Sequence, residues 1–284
     1  MNRLDRNALV FAGSCVALAF SGTMTSAQTA AGTVLAPHRA VYELKLARTA
    51  NNSSLANVRG RILYEFGGNA CDGYDLQFRQ VSELNNGEGR STLSDLRTTT
   101  WEDGAGKSYR FKSQNFMDQK QTDEVDGSAE RAADGVTVTL KQPTPSKRTI
   151  DAKVQFPTQH IFRIIAAARE GATILELPVF DGSDKGQKVY QTLSVIGKEI
   201  PPGERVPDDA AAGKTELAGL KRWPVTVSYF DKQGTGGEQI PVYAISFELY
   251  ENGISRNLLL DYNDFALKGD MTSLDIRPVK PCQP

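Results

Sequence analysis

Residues 156–171, FPTQHIFRIIAAAREG, are the segment of this chain in which apolar residues repeat with a helical period. Pro157 and Thr158 form a start signal, with Thr158 as the predicted N-cap, and Gly171 is the predicted stop. At 100° per residue the apolar side chains fill an arc of roughly 200°, which is wider than the apolar stripe of a surface helix. The sequence therefore predicts a helix that other parts of the protein cover on most sides. The predicted apolar arc comprises Ile161, Phe162, Ile164, Ile165, Ala166 and Ala168, and the polar stripe comprises Gln159, Arg163 and Glu170, with His160 and Ala167 at its edge.

The rest of the chain alternates apolar and polar residues with period two, as in residues 42–46 and 243–249. This alternation predicts antiparallel strands with one buried face, and dipeptides such as Asn86-Gly87 and Asp126-Gly127 predict the turns between them. Residues 200–219, which contain three prolines, are predicted to form a long polar loop. The expected fold is mainly β, with about fourteen strands in one long antiparallel sheet that is curled as an open barrel around the helix.

The segment 1–27 has the features of a secretory signal peptide. Two arginines precede an apolar run at 8–20 that is too short to span a bilayer, and Thr25-Ser26-Ala27 offers a small-residue cleavage site. A retained membrane anchor is the alternative. The small and polar residues that follow the apolar run favour cleavage, so we expect residues 28–284 to form a single exported domain.

The composition and the cysteines limit the possible functions. The formal net charge is −1 at pH 7, so nucleic-acid binding has no compositional support. Cys71 and Cys282 lie outside the predicted signal peptide, and in an oxidising compartment they are predicted to form one disulfide. Two free thiols are the alternative. The C-x-x-C spacing of a redox site is absent, and no cofactor is predicted.

Three features together resemble a known family. The helix opens with FPTQH at 156–160, the segment 258–269 reads LLLDYNDFALKG, and one cysteine lies early and one in the last few residues. The mature chain resembles the EipB-type cell-envelope-integrity proteins of the alphaproteobacterial periplasm. The resemblance implies a β-spiral, which is a long antiparallel sheet curled around a central helix with a disulfide. It also implies a periplasmic location and a non-enzymatic role in maintaining the envelope.

Candidates for catalysis and metal binding are few. The chain has two histidines, and His160 has no accompanying G-x-S-x-G nucleophile motif. Residues 181–186 resemble the start of a calcium loop, but Lys185 and Thr192 occupy positions where oxygen ligands and a bidentate glutamate belong. Asp261 and Asp264 are close in sequence, and a solvated strand end explains them better than an acid/base pair. The sequence therefore predicts no metal site and no enzyme, with a hydrolase that uses His160 as an alternative.

A groove inside the curled sheet is the predicted binding site. A sheet that curls around a helix leaves apolar inner positions that the helix cannot fill, and ligand cavities form at such places. The resemblance implies a shape similar to periplasmic carriers and sensors of lipoproteins, so the expected ligand is lipid-like or a lipoprotein acyl chain. Arg163 or His160 is predicted to anchor an anionic head group. Packing into an ordinary core is the alternative for each residue. The candidate lining residues are His160, Phe162, Arg163, Trp223, Tyr229, Tyr243 and Phe247.

The predicted function is thus a periplasmic, non-enzymatic contribution to envelope integrity by a protein that is not integral to the membrane. A module that docks a periplasmic protein partner through exposed sheet edges is the other class that the sequence allows.

Overall fold

The structure is a computed structural model that describes residues 32–50, 55–231 and 240–282. The predicted signal peptide 1–27 lies outside the described residues. The described residues from Thr33 onward belong to one compact unit. Among the described residues, no helix is long and apolar enough to cross a membrane.

Fourteen strands form one antiparallel sheet, as the alternation predicted. The main helix α1 (Pro157–Arg169) lies between β8 and β9, and α2 (Ser183–Gly186) and α3 (Thr215–Ala218) are four-residue segments. The strands are β1 (His38–Thr49), β2 (Asn57–Asn69), β3 (Gly73–Asn85), β4 (Ser91–Glu102), β5 (Ser108–Met117), β6 (Lys120–Ala132), β7 (Gly135–Gln142), β8 (Ser146–Ile150), β9 (Ile174–Val179), β10 (Tyr190–Ile196), β11 (Arg222–Asp231), β12 (Tyr243–Tyr250), β13 (Ser255–Asp261) and β14 (Phe265–Ile276).

The sheet consists of two meanders that are joined by their first and last strands. Strands β1 to β8 pair in sequence order, as do β9 to β14, and β1 pairs with β14. The two ends of the sheet are β8 and β9, so the sheet is curled but not closed. The predicted hairpin on either side of residues 181–186 is present as β9 and β10.

The segment between β8 and α1 lies along part of the β9 edge. Gln155 forms an isolated parallel bridge with Val179, and its backbone N–H donates to the carbonyl oxygen of Pro178 at 2.7 Å. Arg131 on β6 holds the same segment because its guanidinium donates to the carbonyl oxygens of Ala152 and Val154. The gap between the two meanders is therefore partly covered by main chain.

One predicted turn is wrong. Asp126-Gly127 lies inside β6, at a shift of register between β6 and β7. A side chain at position 127 would bring its Cβ within 2.8 Å of the Leu140 and Phe111 side chains. The glycine is required by this close approach rather than by a reversal of the chain.

The helix begins two residues earlier than predicted and is capped differently. Its N-cap is Phe156, not Thr158, and Phe156 makes no side-chain hydrogen bond to the helix. The buried carboxylate of Glu102 on β4 instead accepts the backbone N–H groups of Thr158 at 2.7 Å and Gln159 at 3.0 Å. A residue on a distant strand thus accepts the hydrogen bonds that an N-cap side chain next to the helix usually accepts.

The helix crosses one end of the curled sheet and is open to solvent along one stripe. At its N-terminal end Gln159 donates to the carbonyl oxygen of Gly104 in the β4–β5 turn, and at its C-terminal end Arg169 pairs with Glu251 in the β12–β13 turn. The predicted faces need correction, because His160 and Ala167 are buried and Ala166 is exposed. The exposed stripe comprises Arg163, Ala166, Arg169 and Glu170.

The core has two parts. The larger part lies between α1 and the inner faces of β1, β2 and β10 to β14. The smaller part lies on β5 to β7, where the rings of Tyr109, Phe111, Phe156 and Phe180 pack with centroids 5.2 to 6.4 Å apart. Phe156 and Phe180 come from the segments on either side of α1 and β9, so this cluster attaches the first meander to the second.

Buried arginines anchor the long loop 200–219. Arg256 on β13 pairs with Asp209 at 2.8 Å and with Glu248 at 2.7 Å, and Arg222 on β11 pairs with the same Glu248 at 2.7 Å. Arg222 also donates to the carbonyl oxygen of Arg205 in the loop. The contacts of Arg256 with Asp209 and of Arg222 with the Arg205 carbonyl oxygen therefore attach the loop to strands β11 and β13.

The structure pairs Cys71 with Cys282, with Cα atoms 5.7 Å apart. Cys71 lies in the β2–β3 turn, where the Asn69 side chain accepts its backbone N–H at 2.8 Å. Cys282 follows β14. The bond therefore ties the end of the chain to the turn after β2, at the junction of the two meanders.

Replacing both Cys71 and Cys282 by serine is expected to lower the free energy of unfolding. The bond closes a loop with a sequence separation of 211 residues, and the chain-entropy model gives at most about 5 kcal/mol for a loop of that size. Denaturant unfolding of the oxidised protein and of the double variant measures the difference. Equal unfolding midpoints for the two proteins would contradict the prediction.

Candidate ligand-binding cavity

A cavity lies between α1 and the inner face of the sheet. Its volume is about 470 Å³, within the range of about 300–1,000 Å³ that is usual for ligand sites. Inward-facing residues of β1 to β4 form one wall, and those of β11 to β13 form the opposite wall. Most of these side chains are aliphatic or aromatic, because the period-two alternation of the strands directs their apolar positions inward. The apolar wall includes Ile62, Leu76, Phe78, Leu96, Val227 and Ile245.

The helix supplies the floor of the cavity. Pro157, His160, Ile161 and Ile164 line it, and their spacing of three and four residues places them on one helix face. Ile164 and Ile165 are fully buried, so the helix fills the lower part of the curled sheet and leaves the remaining space above it. The cavity is therefore the part of the interior that a helix of this length does not reach.

Four of the predicted lining residues border this cavity: His160, Tyr229, Tyr243 and Phe247. The other three, Phe162, Arg163 and Trp223, do not border it.

Phe162 packs with the ring of Tyr74 at 5.6 Å in the core. Trp223 is 2% exposed, and its ring packs under the Lys221 ammonium at 5.4 Å. Arg163 lies on the solvent-exposed stripe of α1. Helical spacing alone could not separate the cavity face of α1 from its core face, since both are apolar on the sequence.

Several lining residues were missed by the sequence analysis. Tyr42 on β1, Tyr64 on β2 and Leu258 on β13 follow the same period-two pattern, which could have identified them as inward-facing. Asp181 and His38 carried no such signal, because they lie in a loop and at the first position of a strand. Their place at the cavity depends on how the sheet curls.

A row of aromatic rings lies at the end of the cavity opposite the helix. The ring centroids of Tyr229 and Tyr243 are 4.3 Å apart in a stacked arrangement, and those of Tyr243 and Tyr262 are 6.5 Å apart. Tyr190 extends the row on one side and Phe265 on the other, at 5.9 Å and 5.0 Å from their neighbours. Tyr262 remains 37% exposed, so the row runs from the interior to the surface.

Both histidines border the cavity as uncharged groups. The His38 Nδ1 lies 2.8 Å from the carbonyl oxygen of Ala36, and its ring stacks on Tyr64 at 5.4 Å. Burial lowers the pKa of His38, and it lowers the pKa of His160 to about 4. At neutral pH neither imidazole carries a positive charge.

The surroundings of His160 do not match those of a general base. Its Nε2 lies 3.3 Å from the Thr192 hydroxyl, and that hydroxyl donates its hydrogen to the carbonyl oxygen of Leu177 at 2.9 Å. The hydrogen in the contact between the two side chains is therefore assigned to the imidazole, which donates rather than accepts. Within the described part of the chain, no group of three or more His, Cys, Asp or Glu side chains could hold a metal ion.

Burial also shifts the pKa values of the remaining ionisable groups at the cavity toward their uncharged forms. Burial raises the pKa of Tyr64 to about 12, and it raises those of Tyr42 and Tyr229 further. Desolvation also raises the pKa of Asp181, although hydrogen bonds from Ser183 act against this shift. The cavity is thus an apolar space whose polar groups offer hydrogen bonds without positive charge.

Glu102 connects the sheet to the floor of the cavity. Its side chain is 1% exposed and accepts the first free N–H groups of α1, as described above. Desolvation raises its pKa to about 7, and the hydrogen bonds from Thr158 and Gln159 limit that rise. The position of the helix thus depends on a carboxyl group that changes its charge near neutral pH.

These features define a class of mainly β proteins in which an unclosed antiparallel sheet curls around one helix and keeps an apolar cavity inside. The model of the EipB-like family matches residues 29–278. The chain therefore belongs to the EipB-like family, as its resemblance predicted.

Two relatives agree with this assignment. The chain is 38% identical over 276 residues to the cell envelope integrity protein EipB of Brucella abortus (strain 2308), which covers 96% of this chain and 95% of the relative. It is also similar to the crystal structure of a β-barrel-like protein, a domain of unknown function from Brucella abortus, with a TM-score of 0.80 and 34% identity. That match covers 87% of this chain and 100% of the solved chain. The predicted mainly β fold is confirmed.

We expect Glu102 to make stability depend on pH in a specific direction. Because its pKa is raised from 4.5 to about 7, the folded state holds a proton that the unfolded state releases between these values. Its contribution to stability is therefore present below about pH 4.5 and is lost as pH rises through 7. The total is about 3 kcal/mol, at 1.36 kcal/mol per pKa unit.

The two buried histidines act in the opposite direction, since their pKa values are lowered. The measurement is therefore a comparison of the wild-type protein with Glu102→Gln, by denaturant unfolding at pH 5 and pH 7.5. The free energy of unfolding of the wild type relative to that of the variant should fall as pH rises, because glutamine mimics the protonated carboxyl group and does not titrate. Glu83→Gln, at an exposed position on β3, controls for the chemical change. A constant difference at both pH values would contradict the prediction.

Proposed function

We propose that this chain is a non-enzymatic protein of the periplasm that supports cell-envelope integrity and holds an apolar, lipid-like ligand in its cavity. The role in the envelope is supported by the EipB relative, which is named for cell envelope integrity. The non-enzymatic character is supported by the hydrogen-bond direction at His160, which leaves its Nε2 unable to take a proton from Thr192.

The observation that carries the ligand half of the proposal is the cavity itself. Protein interiors are normally packed to a density that leaves few voids larger than a water molecule. A space of about 470 Å³ bordered mostly by aliphatic and aromatic side chains forfeits dispersion contacts unless something apolar occupies it. An acyl chain has the chemistry to restore those contacts.

The periplasmic location rests on the oxidised cysteine pair. Cys71 and Cys282 are bonded in the structure, and both positions are exposed. Exposed disulfides persist in exported proteins and are rare where thiols are kept reduced. The predicted signal peptide at 1–27 is consistent with export.

Docking of a periplasmic protein partner is a second proposed function, because β9 presents a sheet edge. Among the described residues, the bridge at Gln155 covers β9 only near Val179, and Ile174 at the other end of the strand is 60% exposed. An extended segment of a partner could add to this edge through main-chain hydrogen bonds. Cross-linking in cells that captures a partner at β9, together with an empty cavity, would favour docking over ligand binding.

The direct test is to purify the mature protein gently from its own periplasm and to extract it with organic solvent for mass spectrometry. A recurrent lipid or acyl species at near-stoichiometric amount is expected. Full recovery of protein with no such species would contradict the ligand half of the proposal.

A matched pair of variants on β4 sharpens the test. Leu96 borders the cavity and is half-buried, whereas Leu93 lies on the outer face of the same strand and is 38% exposed. Leu96→Trp is expected to fill cavity volume, to reduce the co-purified lipid by more than about half and to impair complementation of an envelope defect. Leu93→Trp introduces the same side chain outside the cavity and should change neither the amount of co-purified lipid nor the complementation.

Thermal unfolding of both variants separates loss of ligand from loss of fold. If folded Leu96→Trp retains as much lipid as Leu93→Trp does, the lipid lies elsewhere and the cavity is not the binding site.

A further inference from the structure

We propose that the cavity selects an amphiphile whose buried head is uncharged, such as an ester, amide or alcohol, and that it rejects a free carboxylate of the same chain length. This inference rests on the proposed ligand function and concerns the chemical class of the ligand. It reverses the expectation of an anionic head group anchored by Arg163 or His160.

The first observation is the composition of the cavity wall. Of the described residues that border the cavity, none is lysine or arginine, and Asp181 is the one carboxylate. The neutral polar side chains include Gln80, Thr100, Thr158 and Ser255. A buried carboxylate is stable only when a cation or several donors compensate for its lost hydration. The described wall holds no such cation.

The second observation is that the buried arginines and the arginines of α1 lie outside the cavity. Arg222 and Arg256 form the ion-pair cluster with Glu248 that anchors the loop 200–219, and neither borders the cavity. On α1, Arg169 pairs with Glu251 and donates to the Thr33 hydroxyl, and Arg163 is exposed. The two buried arginines, Arg222 and Arg256, therefore do not supply a cation to the cavity.

The histidines do not replace the missing cation. His38 and His160 border the cavity, but burial lowers the pKa of each, so both are neutral at pH 7 and above. Asp181 works against an anion as well, because any ionised fraction of its carboxyl group would repel a second carboxylate in the same space.

Hydrogen bonds to an uncharged head are available at the aromatic end of the cavity. Gln80 and Tyr262 border the cavity, as do Tyr229 and Tyr243, whose rings are stacked. Amide and phenol groups can each donate to or accept from an ester carbonyl or a hydroxyl group. Because these groups are neutral, they satisfy such a head group without the desolvation cost of a charge.

The test uses two fluorescent probes that differ only at the head group: dodecanoic acid with a nitrobenzoxadiazole label at its far end, and the methyl ester of the same compound. Binding to the delipidated mature protein is measured at pH 8, where the free acid is ionised in solution. The ester is expected to bind at least roughly tenfold more tightly than the acid. Equal or tighter binding of the acid would overturn the inference while leaving lipid binding intact. If neither probe binds, the proposed ligand function fails, and the selectivity fails with it.

A charge-adding variant with a matched control locates the effect. Gln80→Lys places an ammonium group at the cavity, whereas Gln77→Lys places it on the exposed outer face of the same strand. Gln80→Lys should strengthen binding of the acid by about tenfold and remove the preference for the ester. Gln77→Lys should keep the wild-type preference for the ester. An unchanged ratio in folded Gln80→Lys would contradict the inference.

Asp181→Asn provides a second test that adds no charge and keeps the size of the side chain. It should lower the ratio of ester affinity to acid affinity, because the amide removes the repulsion between the Asp181 carboxylate and the carboxylate of the acid probe. A preference as large as that of the wild-type protein would show that Asp181 has no part in the selection.

Discussion

The pairing of β1 with β14 is the interaction on which the rest of the structure depends. Within each meander, every strand pairs with strands that are its neighbours along the chain. Only the pairing from His38 to Thr49 with the last strand combines them into one sheet of fourteen strands with a continuous inner face. The disulfide between Cys71 and Cys282 reinforces the same junction, because it ties the chain beyond β14 to the turn after β2.

The curled sheet encloses more space than the helix fills, and the position of the helix decides where the remaining space lies. Glu102 holds the N-terminal end of α1, and the pair of Arg169 with Glu251 holds its other end. With both ends attached at the same end of the sheet, the helix closes that end and leaves the cavity above its His160 and Ile164 face. The ends of the helix are thus fixed by polar contacts to the strands, and the empty volume follows from that geometry.

Charge is distributed unevenly across the sheet. The buried ion pairs of Arg222 and Arg256 lie with the loop 200–219, whereas desolvation shifts the pKa values of His160 and Asp181 at the cavity toward their uncharged forms. This separation gives the interior the character of a weakly polar solvent with hydrogen-bonding groups at one end. It is the physical basis for expecting an uncharged amphiphile rather than an anion.

The sequence by itself determined the strands and the helix, because each depends on a local period, and the family, because short motifs identify it. The cysteine pair was predicted from the two cysteines that remain in an exported chain. Period two places Tyr229, Tyr243 and Phe247 on the inner face, and these residues do border the cavity. Only the tertiary structure decided which apolar residues face empty space and which face other side chains. Phe162 and Trp223 have the same apolar character in the sequence as the lining residues, but Phe162 packs against Tyr74 and Trp223 is buried away from the cavity. Glu102 shows the same limit, since a cap supplied by a strand more than fifty residues away leaves no local signal at the helix start. Contacts between distant segments set burial and charge, and a local pattern does not contain them.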